Sequence, residues 1–221
     1  MSQLTTNEKS KNPGNSALQV EKSHYNFQTY TDLPRWTSYW HQITETLALS
    51  PKTALIVGIG DDIVGRVLAE QGVQVYTFDF DKNLHPDFWG DVVEIDTVLR
   101  DKRFDVILCC QVLEHLPYDK FEPVLQQLQR HAKNVIISLP YSAIKYKIDV
   151  HLPIVKTVKL TIHIHKFFKR HKFDGQHYWE IGTRGYTKRR IRNSMEKFFT
   201  VAKWYVAPYN AYHVFFILEN R

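Results

Sequence analysis

Gly58-Ile59-Gly60, set between the apolar residues 54–57 and the helical pattern Ile63, Val67 and Leu68, is the first group whose residue types and spacing bear on chemistry. Without Cβ atoms, the two glycines let backbone N–H groups approach a ligand closely at a helix N-terminus. Asp79 and Asp81 close the next apolar run about 20 residues on, where an acid can accept hydrogen bonds from ribose hydroxyls. Strand, glycine turn, helix and strand ending in acid make half of a nucleotide-binding α/β unit. Together they predict a ribose-bearing cofactor, whereas a Gly-x-Gly alone would equally suit a tight turn with solvated acids.

A second group follows the continuous apolar run Phe104–Cys110, which suits a central parallel strand buried on both faces. Gln111, Glu114 and His115 stand at its carboxyl end, the edge where open α/β sheets bind ligands. His177 and Glu180 lie in QHYWEIGTRG, a segment dense in polar and aromatic groups. A histidine suits proton transfer because its ordinary pKa lies near neutrality. The alternative is that His177 and Glu180 bond to backbone and hold their own loop.

The elements that must position these groups can be read from the flanking sequence. The 221 residues suffice for one α/β domain with a real core. Residues 1–24 are polar and lack aromatics, which predicts a flexible tail before a single domain over 25–221. Leu33, Trp36, Trp40, Ile43 and Leu47 fall at helical spacing behind Asp32 as N-cap and Pro34 in the first turn, and the stripe is expected to pack in the core. Tyr39 and Gln42 on that helix are candidates to line the site. Helices are predicted over residues 119–131 and 188–199, and strands over 134–139, 201–207 and 213–218. Cys109 and Cys110 are adjacent in an apolar strand and are expected to pack as small hydrophobes. No apolar leader and no run of about 18 apolar residues appears, so a cytoplasmic location is expected.

With FDVILCCQVLEHLP, NVIISLP and the late HYWEIG added to the glycine unit, the chain resembles class I S-adenosylmethionine-dependent methyltransferases, closest to small bacterial-type members. The resemblance implies a Rossmann-like, seven-stranded, mostly parallel sheet with helices on both faces and an antiparallel C-terminal hairpin. It implies S-adenosyl-L-methionine as cofactor, held by Gly58, Gly60, Asp79, Phe80, Asp91, Val92 and Gln111, with Asp91 accepting from the adenine amino group or serving only as a turn aspartate. It also implies methyl transfer to an acceptor, more in keeping with oxygen than nitrogen or carbon, with His115, His177 and Glu180 at the reacting centre. Two departures stand out: Ile56 replaces the usual acid near the methionine end, and Asp62 replaces a third glycine. Glu114, His115 and His177 further resemble part of the metal site of small-RNA ribose 2′-O-methyltransferases, with Gln111 in place of the first acid.

Two other readings are carried. A catalytically impaired cofactor-binding protein of the same fold is suggested by Ile56 and Asp62. A nicotinamide-dependent oxidoreductase is disfavoured by Ile63, which stands where a dinucleotide fingerprint wants glycine. Residues 142–175 carry eight Lys or Arg against two Asp, interleaved with Phe, Ile, Leu and His. They predict a basic, lid-like insertion that steers an acidic or lipid-linked acceptor or touches a membrane surface. With a net charge of +6, nucleic acid is permitted as a partner but not indicated, for there is no zinc-finger spacing and no RNA-recognition motif.

Overall fold

The computed structural model describes residues 25, 30–150, 158–165, 169–173 and 175–221, so the expected tail over 1–24 lies outside the described residues. Helix α1 (Leu33–Ala48) starts where expected: the Asp32 side chain accepts the Arg35 N–H at 2.8 Å, and Pro34 sits in the first turn. Its packing corrects the sequence reading in part: Ile43 and Leu47 pack against the core as expected. Leu33, Trp36 and Trp40 are 76%, 49% and 58% exposed, while Ser38, Tyr39, His41, Gln42 and Thr46 face inward. The helix lies on a polar and aromatic surface that gives those groups partners. Ser38 meets His213 and Asn210, and His41 meets the Tyr205 hydroxyl at 3.1 Å.

The sheet is built from β1 (Thr53–Val57), β2 (Gln74–Asp79), β3 (Phe88–Trp89), β4 (Phe104–Cys110), β5 (Ala132–Pro140), β8 (Phe199–Val206) and β9 (His213–Asn220), in the order β3-β2-β1-β4-β5-β9-β8. Five adjacent strands pair parallel, and β9, antiparallel to both β5 and β8, is the one strand of this sheet that runs the other way. Alternate residues of the inner strands serve opposite faces, as a sheet covered on both sides requires. Leu55, Val57, Ile107 and Ile137 belong to one apolar cluster, and Ala54, Ile56, Leu108 and Ile136 to the other. Cys109 is fully buried in the first, and both cysteines are free thiols, as expected.

Three helices pack with the sheet: α2 (Ile63–Glu70), α3 (Ile95–Leu99) and α4 (Phe121–His131), the last entered through a tight turn at Tyr118–Lys120. After β5 comes a feature the sequence reading lacked. β6 (Ala143–Val150) and β7 (Val158–His165) pair antiparallel as a separate two-stranded sheet within the basic segment. Helix α5 (Lys188–Met195) is capped by Thr187, whose hydroxyl accepts the Arg190 N–H, and ends before the predicted residue 199 because Phe199 already opens β8. Among the described residues no helix is long and apolar enough to cross a membrane.

Candidate active site

The strand order reverses at β1 and β4, and the carboxyl ends of β1, β2 and β4 define the edge where such sheets bind ligands. Gly58 has φ +81° and Gly60 φ +58°, so both need the left-handed region that glycine enters at no steric cost. A Cβ at Gly58 would stand 2.7 Å from Val112 Cγ2, so the protein itself demands that glycine. At Gly60 the nearest atom to such a Cβ is Tyr25 Cε1, at 3.8 Å. Asp62 adopts φ +59° in place of the usual third glycine. Its carboxylate turns back toward Gly65 and Arg66, 3.6 Å from Arg66 Nε.

Asp79 is a loop anchor as well as the acid predicted for ribose. Its Oδ2 accepts the Ile59 N–H at 2.8 Å and its Oδ1 accepts the Asp81 N–H at 2.9 Å. Burial raises its carboxyl, against the lowering effect of those backbone bonds. Asp81 caps the next turn by accepting from the Asn83 N–H and amide, each at 2.9 Å. Phe80 is exposed beside this edge, and its carbonyl accepts Trp89 Nε1–H at 3.0 Å. Asp91 Oδ1 accepts the Val93 N–H at 3.0 Å, a turn bond that engages one carboxylate oxygen, and Val92 is buried in the core. Gln111, at φ +57°, holds the end of β4 against β5 through Nε2–H to Ser138 Oγ at 3.2 Å.

Tyr25, Tyr30, Arg35 and Asp61 gather over the glycine loop, and the sequence reading missed all four. Asp61 Oδ2 accepts the Tyr39 hydroxyl at 2.7 Å, which brings the predicted Tyr39 to the loop. Gln42 is buried on the inner face of α1. The signal available in sequence was position: Asp61 directly follows Gly60, and aromatic residues begin at Tyr25.

The residues of the second polar group come together at the end of β4. Trp179 is fully buried, donates Nε1–H to the Leu116 carbonyl at 3.0 Å, and packs against Tyr118 and Phe121, both with centroids at 5.2 Å. That anchor fixes its neighbours His177 and Glu180 above the end of β4. His177 Nδ1 lies 3.1 Å from Glu180 Oε1, which also accepts the Tyr212 hydroxyl at 2.5 Å. Burial alone would raise the Glu180 carboxyl, but the bonds from His177 and Tyr212 outweigh it and hold it below its usual range. A carboxylate accepting from Nδ1 leaves Nε2 as the lone-pair nitrogen of the imidazole. His115 Nδ1 likewise donates to the Gln176 carbonyl at 3.1 Å, and the two imidazole centroids are 4.9 Å apart.

Glu114 lies beneath them, fully buried, with neither carboxylate oxygen partnered. Burial pushes its carboxyl up to about 8. One ligand atom from each of Glu114, His115 and His177 falls within 4.8 Å of the others.

Glycine turn, acids at the end of β2 and a closing antiparallel pair on a parallel sheet define a Rossmann-like domain of methyltransferase type. The profile of the family described as Methyltransferase domain matches residues 26–196, and the chain belongs to that family. Among solved structures it is similar to the glycopeptide N-methyltransferase MtfA complexed with S-adenosyl-L-homocysteine, with TM-score 0.56, 13% identity, and coverage of 87% of this chain and 91% of that one. It is similar to 1,6-didemethyltoxoflavin-N1-methyltransferase of Burkholderia thailandensis, with TM-score 0.56, 15% identity, and coverage of 90% and 84%. The methyltransferase domain of bacterial CtHen1-CN gives TM-score 0.56 and 14% identity, with coverage of 84% and 99%. No curated protein matches the sequence.

Proposed function

We propose that this chain transfers a methyl group from S-adenosyl-L-methionine to an acceptor hydroxyl, with His177 as the general base. The observation that carries the reading is the hydrogen-bonded chain Tyr212–Glu180–His177, which fixes the imidazole with Nε2 as its basic nitrogen. Gly58 and Gly60 open the cofactor cradle, Asp79 with Phe80 receives the ribose side, Asp91 and Val92 the adenine, and Gln111 borders the transferred methyl. Methyl transfer is an in-line displacement at a sulfonium, so alignment supplies much of the rate. A hydroxyl acceptor adds the need for a base, which a neutral amine does not share. The paired strands β6 and β7 act as the cover, and exposed Lys169 and Arg170, which follow β7 in the sequence, steer an acidic or lipid-linked acceptor. Calorimetric titration with S-adenosylhomocysteine and with NAD(H) tests the cofactor, and labelled methyl transfer into extracts tests the acceptor. Binding of NAD(H) alone would replace this reading with the oxidoreductase, and cofactor binding without transfer would leave the impaired protein.

A second reading is favoured by the buried, unpartnered carboxylate of Glu114: a divalent ion held by Glu114, His115 and His177. The donor set fits, since one carboxylate and two imidazoles, each oriented through Nδ1, suit such an ion. When bound, an ion there would lower the pKa of an acceptor hydroxyl. Activity indifferent to chelator would remove this reading and leave the base.

A further inference from the structure

Ile56 occupies the position where the methyltransferase resemblance places an acid for the methionine end of the cofactor. It is 6% exposed and belongs to the apolar cluster with Val64, Leu68 and Leu108. The ammonium and carboxylate of that end therefore need partners from other elements. Two charged groups, Asp61 and Arg35, stand close to the glycine loop.

Asp61 directly follows Gly60 in that loop. Its Oδ2 accepts the Tyr39 hydroxyl at 2.7 Å and Thr31 Oγ1–H at 3.3 Å, and its Oδ1 accepts the Ile63 N–H at 3.3 Å. These bonds fix the carboxylate while leaving acceptor capacity, because an ionised carboxylate has about four lone-pair sites. Arg35 comes from the first turn of α1. Its guanidinium carbon lies 3.6 Å from the centroid of the Tyr30 ring, and its Nε is buried with no hydrogen-bond partner. A buried donor without an acceptor calls for an explanation, and an anionic ligand supplies one. Tyr30 feels the charges of both Arg35 and Asp61, so both lie near its hydroxyl. Tyr25 adjoins it, with its ring 5.0 Å from Tyr30 and its edge beside Gly60.

We propose that Arg35 receives the carboxylate, and Asp61 the ammonium, of the cofactor's methionine end, so that α1 and the glycine loop recognise a group for which β1 offers only Ile56. The inference rests on S-adenosylmethionine being the cofactor. Tyr39 and Thr31 are positioning residues that hold Asp61, and Tyr30 holds the guanidinium plane.

The test is calorimetric titration with four ligands: S-adenosylhomocysteine, its decarboxylated analogue, its deaminated analogue, and 5′-methylthioadenosine, which lacks the amino-acid end. Arg35→Gln should weaken S-adenosylhomocysteine and the deaminated analogue by about tenfold or more, and leave the decarboxylated analogue and methylthioadenosine unchanged. Asp61→Asn should show the complementary pattern, weakening the two ligands that carry the ammonium. Unchanged S-adenosylhomocysteine affinity in both variants would overturn the assignment, as would losses extending equally to methylthioadenosine. Where a variant does not fold, the wild-type ligand series decides: affinity indifferent to loss of the carboxylate or ammonium also overturns it. A wild-type protein that binds methylthioadenosine but ignores the amino-acid end sinks only this proposal. One that binds none of the four withdraws the cofactor reading with it.

Discussion

The backbone N–H of Tyr178 donates to the carbonyl of Glu114 at 2.8 Å, stitching the loop before α5 to the segment that leaves β4. Residues 63 positions apart, Leu116 and Trp179, reinforce the stitch through the indole bond. His115 and His177 thus share one rigid platform.

That platform makes the base testable in isolation. His177→Ala should lower kcat by about 10²- to 10⁴-fold while leaving S-adenosylhomocysteine affinity nearly unchanged. Near wild-type turnover in a folded variant would mean that solvent takes the proton. Glu180→Gln and Tyr212→Phe should each do less, since they orient the imidazole and hold no reacting proton.

For the ion, thermal denaturation gives a readout independent of turnover. Manganese should raise the Tm of the wild type and leave Glu114→Ala unmoved, because binding to the folded state alone adds stability by mass action. Equal shifts in both proteins would place any ion elsewhere.

The two glycines should behave differently. Gly58→Ala puts a Cβ against Val112 at 2.7 Å and at φ +81°, so it should destabilise the fold by about 2 kcal/mol or more, read in urea denaturation. Gly60→Ala carries the strain of φ +58° but meets only Tyr25 at 3.8 Å. It should fold with a smaller loss, of about 1 kcal/mol, and show its main effect in cofactor titration.

Acid sensitivity should centre on Asp105, at the opposite edge of the sheet from the site. The Lys133 ammonium, acting against burial and joined by the Thr53 and Lys52 N–H groups, holds its carboxyl down to about 2 from 3.8. A depressed folded-state pKa stabilises above the unfolded value and loses that contribution as pH falls through the folded one. Asp105→Asn should therefore cost about 1 to 2 kcal/mol at pH 7, discounted because Lys133 is largely exposed, and the difference should fade between about pH 4 and 2. A gap that persists at pH 2 would assign the loss to packing.

Reversing the charges of Lys169 and Arg170 should reduce turnover in a salt-dependent way and leave Tm and cofactor affinity alone. The companion position Lys166 lies outside the described residues. A fall in Tm would make the segment part of the folding unit.

The parallel half of the fold was legible because its signals are local. Apolar runs bounded by glycine and acid give β1, the loop and β2, and the uninterrupted run Phe104–Cys110 suits the strand buried on both faces that it forms. Helix α1 was legible in extent but not in orientation. Its outward face carries Leu33, Trp36 and Trp40, and its inward face carries polar groups whose partners come from Tyr205, Asn210 and His213, more than 160 residues away. No periodicity count contains those partners. The same limit hid Arg35 and Asp61, which come near one another only through the docking of α1 on the loop, and the pairing of β6 with β7, whose basic composition suggested a cover before it suggested strands.

The burial of Trp179 gives the molecule a built-in optical reporter. The chain has five tryptophans, and Trp36, Trp40, Trp89 and Trp204 are all exposed. Iodide or acrylamide should quench those four first and leave a blue-shifted residual emission from Trp179 alone. Because that indole underpins His177 and Glu180, the colour and accessibility of the residual light follow the loop that carries them, and a red shift marks the loop lifting off while the sheet stays folded.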